Sequence, residues 1–145
     1  MSTRRDFMAG SGLAASSLAL GSNSVAAAAR ALACSNPLTT FYRAVDAFNF
    51  RDWPTLASLL DSHVLAHTVH GQRPKQGVGV VIGYLKYDVG RQNPFFRLRG
   101  FPIVTGCVVK GIACWTDPSP VEVSYQFVIH NDKILQMDAP EHGPC

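Results

Sequence analysis

The chain has 145 residues, of which 47% are hydrophobic and only 16% are charged, and its formal net charge is +3. This length suits one small domain preceded by a short leader. No run of Lys or Arg longer than two residues occurs beyond residue 33, which argues against nucleic acid as a partner.

The first 33 residues indicate an export signal. The stretch TRRDFM, from Thr3 to Met8, resembles the twin-arginine motif of a polar residue, two arginines, any residue and two apolar residues. The weakly apolar, glycine-interrupted stretch that follows does not favour a permanent membrane anchor. We therefore predict a signal peptide over 1–33 that engages the twin-arginine translocase, and a periplasmic or secreted domain over 34–145.

Cleavage after Ala33 would make Cys34 the first mature residue. Ala31 and Leu32 stand in the reverse of the order that a lipoprotein signal prefers, so the sequence does not favour lipid anchoring. Without residues 1–33 the chain keeps ten Lys and Arg against nine Asp and Glu, a formal charge of +1.

All four cysteines follow the signal, and an exported domain permits disulfides. Three pairings are possible. Cys107 and Cys114 can join only across a tight turn, because seven residues of straight strand separate them by ~23 Å. We prefer a bond between Cys34 and Cys145 that ties the two ends of the domain together.

The first half of the domain shows helical patterns. Asn36 and Pro37 predict a helix start, and apolar residues at helical spacing extend it over about 37–49. Asp52 begins a second helix that runs to about residue 62. A glycine-interrupted third helix is predicted around Val78 to Leu85.

Three histidines, His63, His67 and His70, lie within eight residues. On a helix these spacings would place all three imidazoles on one face, as a metal site requires. The β-branched residues between them and the glycine after them instead favour a short strand, Val64–His70, which splits the trio. We therefore expect no metal site and no other cofactor.

The second half is β-rich. FFRLRGFPIVTGCVVKGIACW predicts either two strands or one long bulged strand. VEVSYQFVIH alternates clearly, and Asn131-Asp132 predicts a tight hairpin into KILQMDA. Helices followed by a curved antiparallel sheet indicate an α+β domain.

The order of these elements, from about Leu38 to Ala139, resembles the nuclear transport factor 2-like superfamily, which includes SnoaL-like polyketide cyclases and ketosteroid isomerases. The resemblance depends on FYRAVDAFNFRDWPTLASLLDSHVLAHTVHG, GVGVVIGYL and SYQFVIHNDKILQMDA. It implies an α+β fold in which a cone-shaped, curved antiparallel sheet wraps around three N-terminal helices and encloses an apolar cavity. It also implies a homodimer, often formed through the sheet.

The residues that carry isomerase chemistry in this superfamily are replaced here. Thr68 occupies the position of the carboxylate base, and it cannot accept a proton at neutral pH. Tyr125 falls near the oxyanion aspartic acid, and Ala44 falls near the oxyanion tyrosine. The resemblance therefore implies the fold and does not carry over the isomerase activity.

The resemblance also suggests which residues face the cavity. If the first strand faces it, Val64, Ala66, Thr68 and His70 line the interior and His67 packs the other way. His70 is then a candidate catalytic base, and His67 takes its place if the strand is shifted by one residue.

Other candidates come from the first helix and the sheet. Tyr42 and Asp46 are neighbours on one flank of the helix. They are candidates to orient a polar ligand group or to hold the catalytic histidine, with Asp46 then part of the catalytic site, and the alternative is an ordinary solvated pair. Trp115, Tyr125 and Phe127 predict an aromatic wall for a flat apolar ligand, although an ordinary core would use the same residues.

Three functions remain open from the sequence. The first is the binding of an apolar or aromatic small molecule without a cofactor. The second is a cyclase, isomerase or dehydratase with a cavity histidine, and the third is a protein-interaction or dimerisation module. An open cavity with a histidine and a carboxylate within hydrogen-bonding reach would favour the enzyme. An open cavity without that pair would favour the binding protein, and a closed interior would favour the interaction module.

Overall fold

The computed structural model describes residues 34, 36–67, 73–89, 91, 93–116 and 119–145. The predicted export signal lies outside these residues, as do Thr68 and His70. Among the described helices, none is long and apolar enough to cross a membrane.

Two helices open the described chain. Helix α1 spans Pro37–Asn49 as predicted, although the Asn36 side chain makes no capping hydrogen bond within the described residues. Helix α2 spans Trp53–Leu59, and the Asp52 carboxylate caps it by accepting a hydrogen bond from the Thr55 backbone N–H at 3.2 Å. Helix α2 ends three residues earlier than predicted, because the backbone at Leu60 is already extended and enters the first strand.

The third helix begins where the sequence indicates it. Helix α3 spans Val78–Gly83 and continues directly as a π-helix, π1, over Tyr84–Val89. The apolar periodicity predicted a helix here but not its wider turn. π-helical turns are rare and are often found at functional sites.

In the part of the chain that the structure describes, seven strands form one sheet. They are β1 Leu60–Ala66, β2 Lys75–Gln76, β3 Phe96–Thr105, β4 Val108–Trp115, β5 Val121–His130, β6 Lys133–Asp138 and β7 Glu141–Pro144. The spatial order is β2-β1-β6-β5-β4-β3, and β7 pairs with the first residues of β5. The sheet is antiparallel as predicted except that β1 and β6 run parallel. The sequence did not predict the short strands β2 and β7.

Positive backbone φ angles mark the turns. The glycine-rich stretch forms two strands, β3 and β4, joined through Gly106 with a φ of 60°. A bulge between Arg99 and Ile103 contains Gly100 with a φ of 74°. Asn131 and Asp132, with φ of 50° and 58°, form the predicted hairpin turn between β5 and β6.

The inner face of the sheet packs on the helices. Alternate residues of β5, such as Val123, Tyr125 and Ile129, are almost completely buried, as the sequence pattern predicted. The Tyr125 ring stacks on Phe41 of α1 with ring centres 4.9 Å apart. Gly111 lies directly opposite Tyr125 on β4, and a Cβ there would clash with the Tyr125 hydroxyl. The absence of a side chain at Gly111 therefore makes room for this phenol.

The two disulfides correct our preferred pairing. Cys34 is bonded to Cys107 and Cys114 to Cys145, so the predicted bond between Cys34 and Cys145 is wrong. Cys107 lies in the β3–β4 turn and Cys114 near the far end of β4, about 23 Å along the strand. The two ends of the domain thus meet opposite ends of one strand instead of each other.

Candidate functional site

An apolar cavity lies between α1, π1 and the inner face of the sheet. Its volume is about 80 Å³, and it opens to solvent. Its surface is almost entirely apolar. The lining residues are Ala44, Val45, Phe48, Leu56, Ala66, His67, Tyr84, Leu85, Val89, Phe96, Trp115, Phe127, Met137, Asp138 and Ala139.

Aromatic rings form one wall of this cavity. Trp115 lies edge-on to Phe48 and to Phe96, with ring centres 5.4 Å and 4.7 Å apart. Phe127 joins them on β5. Edge-to-face pairs of this kind are favourable and hold each ring at a defined angle. The structure thus places two of the three predicted wall residues, Trp115 and Phe127, at the cavity.

His67 lines the cavity, although the predicted strand alternation pointed it the other way. Strand β1 ends at Ala66, so the alternation no longer fixes the next side chain. The His67 backbone N–H donates to the Met137 carbonyl at 3.0 Å, which anchors it beside β6. Its Nδ1 atom is buried and has no hydrogen-bond partner among the described residues.

Among the described residues that line the cavity, Asp138 is the one carboxylate. In the β5–β6 register it lies opposite Gln126, an exposed residue, and directly opposed side chains share a face of a sheet. The register therefore favours the outer face for the Asp138 carboxylate. Within the described part of the chain, no hydrogen bond or ion pair joins Asp138 to His67.

The other predicted candidates lie away from the cavity lining. Tyr42 is 37% exposed and Asp46 is exposed, so the pair on the flank of α1 faces solvent. Tyr125 is buried in the core beneath Phe41, and its hydroxyl has no hydrogen-bond partner among the described residues. Burial, assisted by the nearby Tyr42, raises the pKa of Tyr125 to about 12.

Several cavity residues had no signal in the sequence beyond their apolar character. Tyr84, Leu85 and Val89 reach the cavity from π1, and a π-turn cannot be read from helical spacing. Phe48 and Phe96 were recognisable only as core positions. Across the described ranges, no group of three or more His, Cys, Asp or Glu side chains is placed to hold a metal ion.

Comparisons with solved structures show the fold. A nuclear transport factor 2-like protein of unknown function from Burkholderia xenovorans matches with a TM-score of 0.65 and 11% identity, over 75% of this chain and 84% of its own. A candidate ketosteroid isomerase from Kribbella flavida matches with a TM-score of 0.65 and 11% identity, over 77% and 82%. A candidate SnoaL-like polyketide cyclase from Shewanella putrefaciens matches with a TM-score of 0.62 and 12% identity, over 72% and 88%.

The chain therefore has the nuclear transport factor 2-like fold. No protein-family model matches the sequence, and no curated protein matches it. Because identities near 11% show the fold alone, the function has to be argued from the cavity.

Proposed function

We propose that this protein binds a small, uncharged, ring-containing molecule in the cavity between α1, π1 and the sheet. The observation that carries the proposal is the open cavity with an almost wholly apolar surface and an aromatic wall. Such cavities favour flat apolar ligands, because burial of both surfaces removes apolar area from water. Structures of the same fold include a candidate polyketide cyclase and a candidate ketosteroid isomerase, which supports a small-molecule ligand.

The size of the cavity limits the ligand. The cavity volume of about 80 Å³ is several times the roughly 10–15 Å³ that one water needs, so the cavity has room for a small molecule and not for a large one. One ring or two fused rings fit this space.

The lining also sets the charge of the ligand. A carboxylate that enters an apolar cavity loses its hydration, and the described lining residues include no Lys or Arg to pair with it. We therefore expect 2-naphthol to bind with a Kd of roughly 10 μM to 1 mM. The matched anion 2-naphthoate should bind at least about tenfold more weakly.

Calorimetric titration of residues 34–145 with these two compounds tests the proposal. Ala44 lines the cavity, so Ala44→Leu should fill it and weaken 2-naphthol binding at least about tenfold. Ala57→Leu, the same change on α2 outside the lining, serves as the matched control and should bind as wild type does. Equal affinity of the two ligands, or an Ala44→Leu variant that binds normally, would contradict the proposal.

A second candidate function is acid–base catalysis by His67. The supporting observation is the buried, unpartnered Nδ1 of a cavity histidine, since an imidazole can take a proton near neutral pH. Its weakness is the missing contact with a carboxylate in the described residues. Hydrogen–deuterium exchange at the α-carbons of 2-tetralone, followed by NMR, tests this function. Catalysis by His67 is supported if the protein accelerates exchange over the rate in buffer and His67→Phe abolishes this acceleration. Catalysis is rejected if the wild-type protein does not accelerate exchange.

We also propose export by the twin-arginine route and assembly as a homodimer. Two disulfides in a 112-residue domain support an oxidising compartment. Phe101 and Ile103 on β3 are 93% and 58% exposed, which supports a second copy as their cover. We expect Arg4→Lys/Arg5→Lys to abolish the appearance of the protein in the periplasm. We expect the wild-type domain to sediment as a dimer and Phe101→Ser/Ile103→Ser to sediment as a monomer.

A further inference from the structure

The side chain of Asn49, the last residue of α1, pairs with the backbone of Phe96. Asn49 Nδ2 donates to the Phe96 carbonyl at 3.0 Å, and the Phe96 N–H donates to Asn49 Oδ1 at 2.7 Å. The two residues are 47 positions apart in sequence. One planar amide thus satisfies both backbone groups of the first residue of β3 and fixes where this cavity residue begins.

Arg51 makes a second set of contacts two residues later. Its Nη1 donates to the Phe48 carbonyl at 2.8 Å and its Nη2 to the Pro94 carbonyl at 2.6 Å. The guanidinium carbon lies 4.6 Å from the centre of the Phe48 ring, within cation–π range. Arg51 therefore holds the end of α1 to the approach of β3 and covers one side of the Phe48 ring.

Together these contacts act on the aromatic wall. Phe48 and Phe96 are the two rings that flank Trp115, and all three line the cavity. Asn49 holds the backbone of Phe96, and Arg51 holds the ring and carbonyl of Phe48. Two polar residues that do not line the cavity themselves therefore restrain the positions of the two flanking residues.

We propose that Asn49 and Arg51, here named the α1 latch, are positioning residues that give the cavity its preference for flat ligands. The inference rests on the proposed function of the cavity. Rings held in one arrangement present a fixed aromatic surface to the ligand. A flat ring system can lie against such a surface across its whole face, whereas a puckered ring system with the same number of non-hydrogen atoms cannot.

Two ligands with the same number of non-hydrogen atoms and one hydroxyl group each test this proposal. They are 2-naphthol, which is flat, and decahydro-2-naphthol, which is puckered. Titration of the wild-type domain should give at least a fivefold lower Kd for the flat ligand. In Asn49→Ala this preference should fall to less than twofold, mainly through weaker binding of 2-naphthol, and Arg51→Lys should shift it in the same direction.

Asn36→Ala is the matched control, since it makes the same change at the other end of α1, where the side chain has no capping bond within the described residues. It should keep the wild-type preference. A purely structural role of Asn49 would lower the folded fraction, seen as a lower urea midpoint, and weaken both ligands by the same factor.

The outcomes separate the two claims. If wild type and Asn36→Ala bind 2-naphthol and Asn49→Ala keeps the full preference, the latch is refuted and the proposed function stands. If wild type prefers neither ligand, the latch is refuted as well. If wild type binds neither compound, both the proposed function and the proposed role of the α1 latch are refuted.

Discussion

Removal of the Cys34–Cys107 disulfide by Cys34→Ser/Cys107→Ser should destabilise the domain strongly. The bond joins residues 73 positions apart, and the chain-entropy relation gives about 4.4 kcal/mol for a loop of this length. The Cys114–Cys145 bond spans 31 positions, for which the same relation gives about 3.7 kcal/mol. For a domain of this size, a loss of about 4 kcal/mol lowers Tm by roughly 15–20 °C.

Thermal unfolding measures the loss, and a free-thiol assay tests the pairing behind it. Cys34→Ser/Cys107→Ser should contain no free thiol, because Cys114 and Cys145 remain bonded. Cys34→Ser/Cys145→Ser should contain two, because Cys107 and Cys114 lie ~23 Å apart along β4. If the second variant shows no free thiol, or the first loses less than about 1 kcal/mol, the reasoning is refuted.

Four further predictions follow from single contacts. Gly111→Ala should cost about 1–3 kcal/mol, because the new Cβ meets the Tyr125 hydroxyl; adding Tyr125→Phe should recover part of the loss in urea unfolding, and a cost unchanged by it would contradict the contact. Tyr125→Phe also removes a phenol whose pKa is raised by burial to about 12. Wild type should lose stability as pH rises from about 10 to 12, because the phenol ionises first in the unfolded state, and the variant should retain part of this stability. Hydrogen bonding from the Thr55 side chain and then from its backbone N–H holds the pKa of Asp52 below its usual value. This contribution to stability is present above the unfolded pKa of about 3.9 and disappears as pH falls, so Asp52→Asn should flatten the acid limb of the stability curve. Arg99→Ala breaks an exposed ion pair with Glu122 at 2.8 Å. It should change the free energy of unfolding, measured by urea titration, by less than about 0.5 kcal/mol, and a larger change would show that the pair is stronger than exposed pairs usually are.

Local patterns in the sequence were enough to predict most of the fold. The period-2 alternation of β5 and the Asn131-Asp132 turn depend on neighbouring residues, and both are confirmed. The end of α2 and the start of β1 were placed too late, because apolar residues at 59 and 60 fit a helix and a strand equally well. Parallel pairing of β1 with β6 is a long-range contact with no local signature.

The cavity was harder to predict than the fold. Trp115 and Phe127 were predicted because they lie on strands with clear alternation. For the first strand, the alternation left His67 facing the cavity only if the strand shifted by one residue, and the strand stops one residue before it. Asn49 gave no signal, since its role depends on a partner 47 residues away. The cysteine pairing likewise required knowing that the two ends of the domain meet opposite ends of β4.

The most direct test of the cavity as a ligand site is a set of intermolecular NOEs between 2-naphthol and the methyl groups of the labelled domain. Contacts with the methyls of Ala44, Ala66 and Met137, which line the cavity, are the expected result. Contacts confined to Ile103 and Val104 on the exposed part of β3 would contradict binding in the cavity.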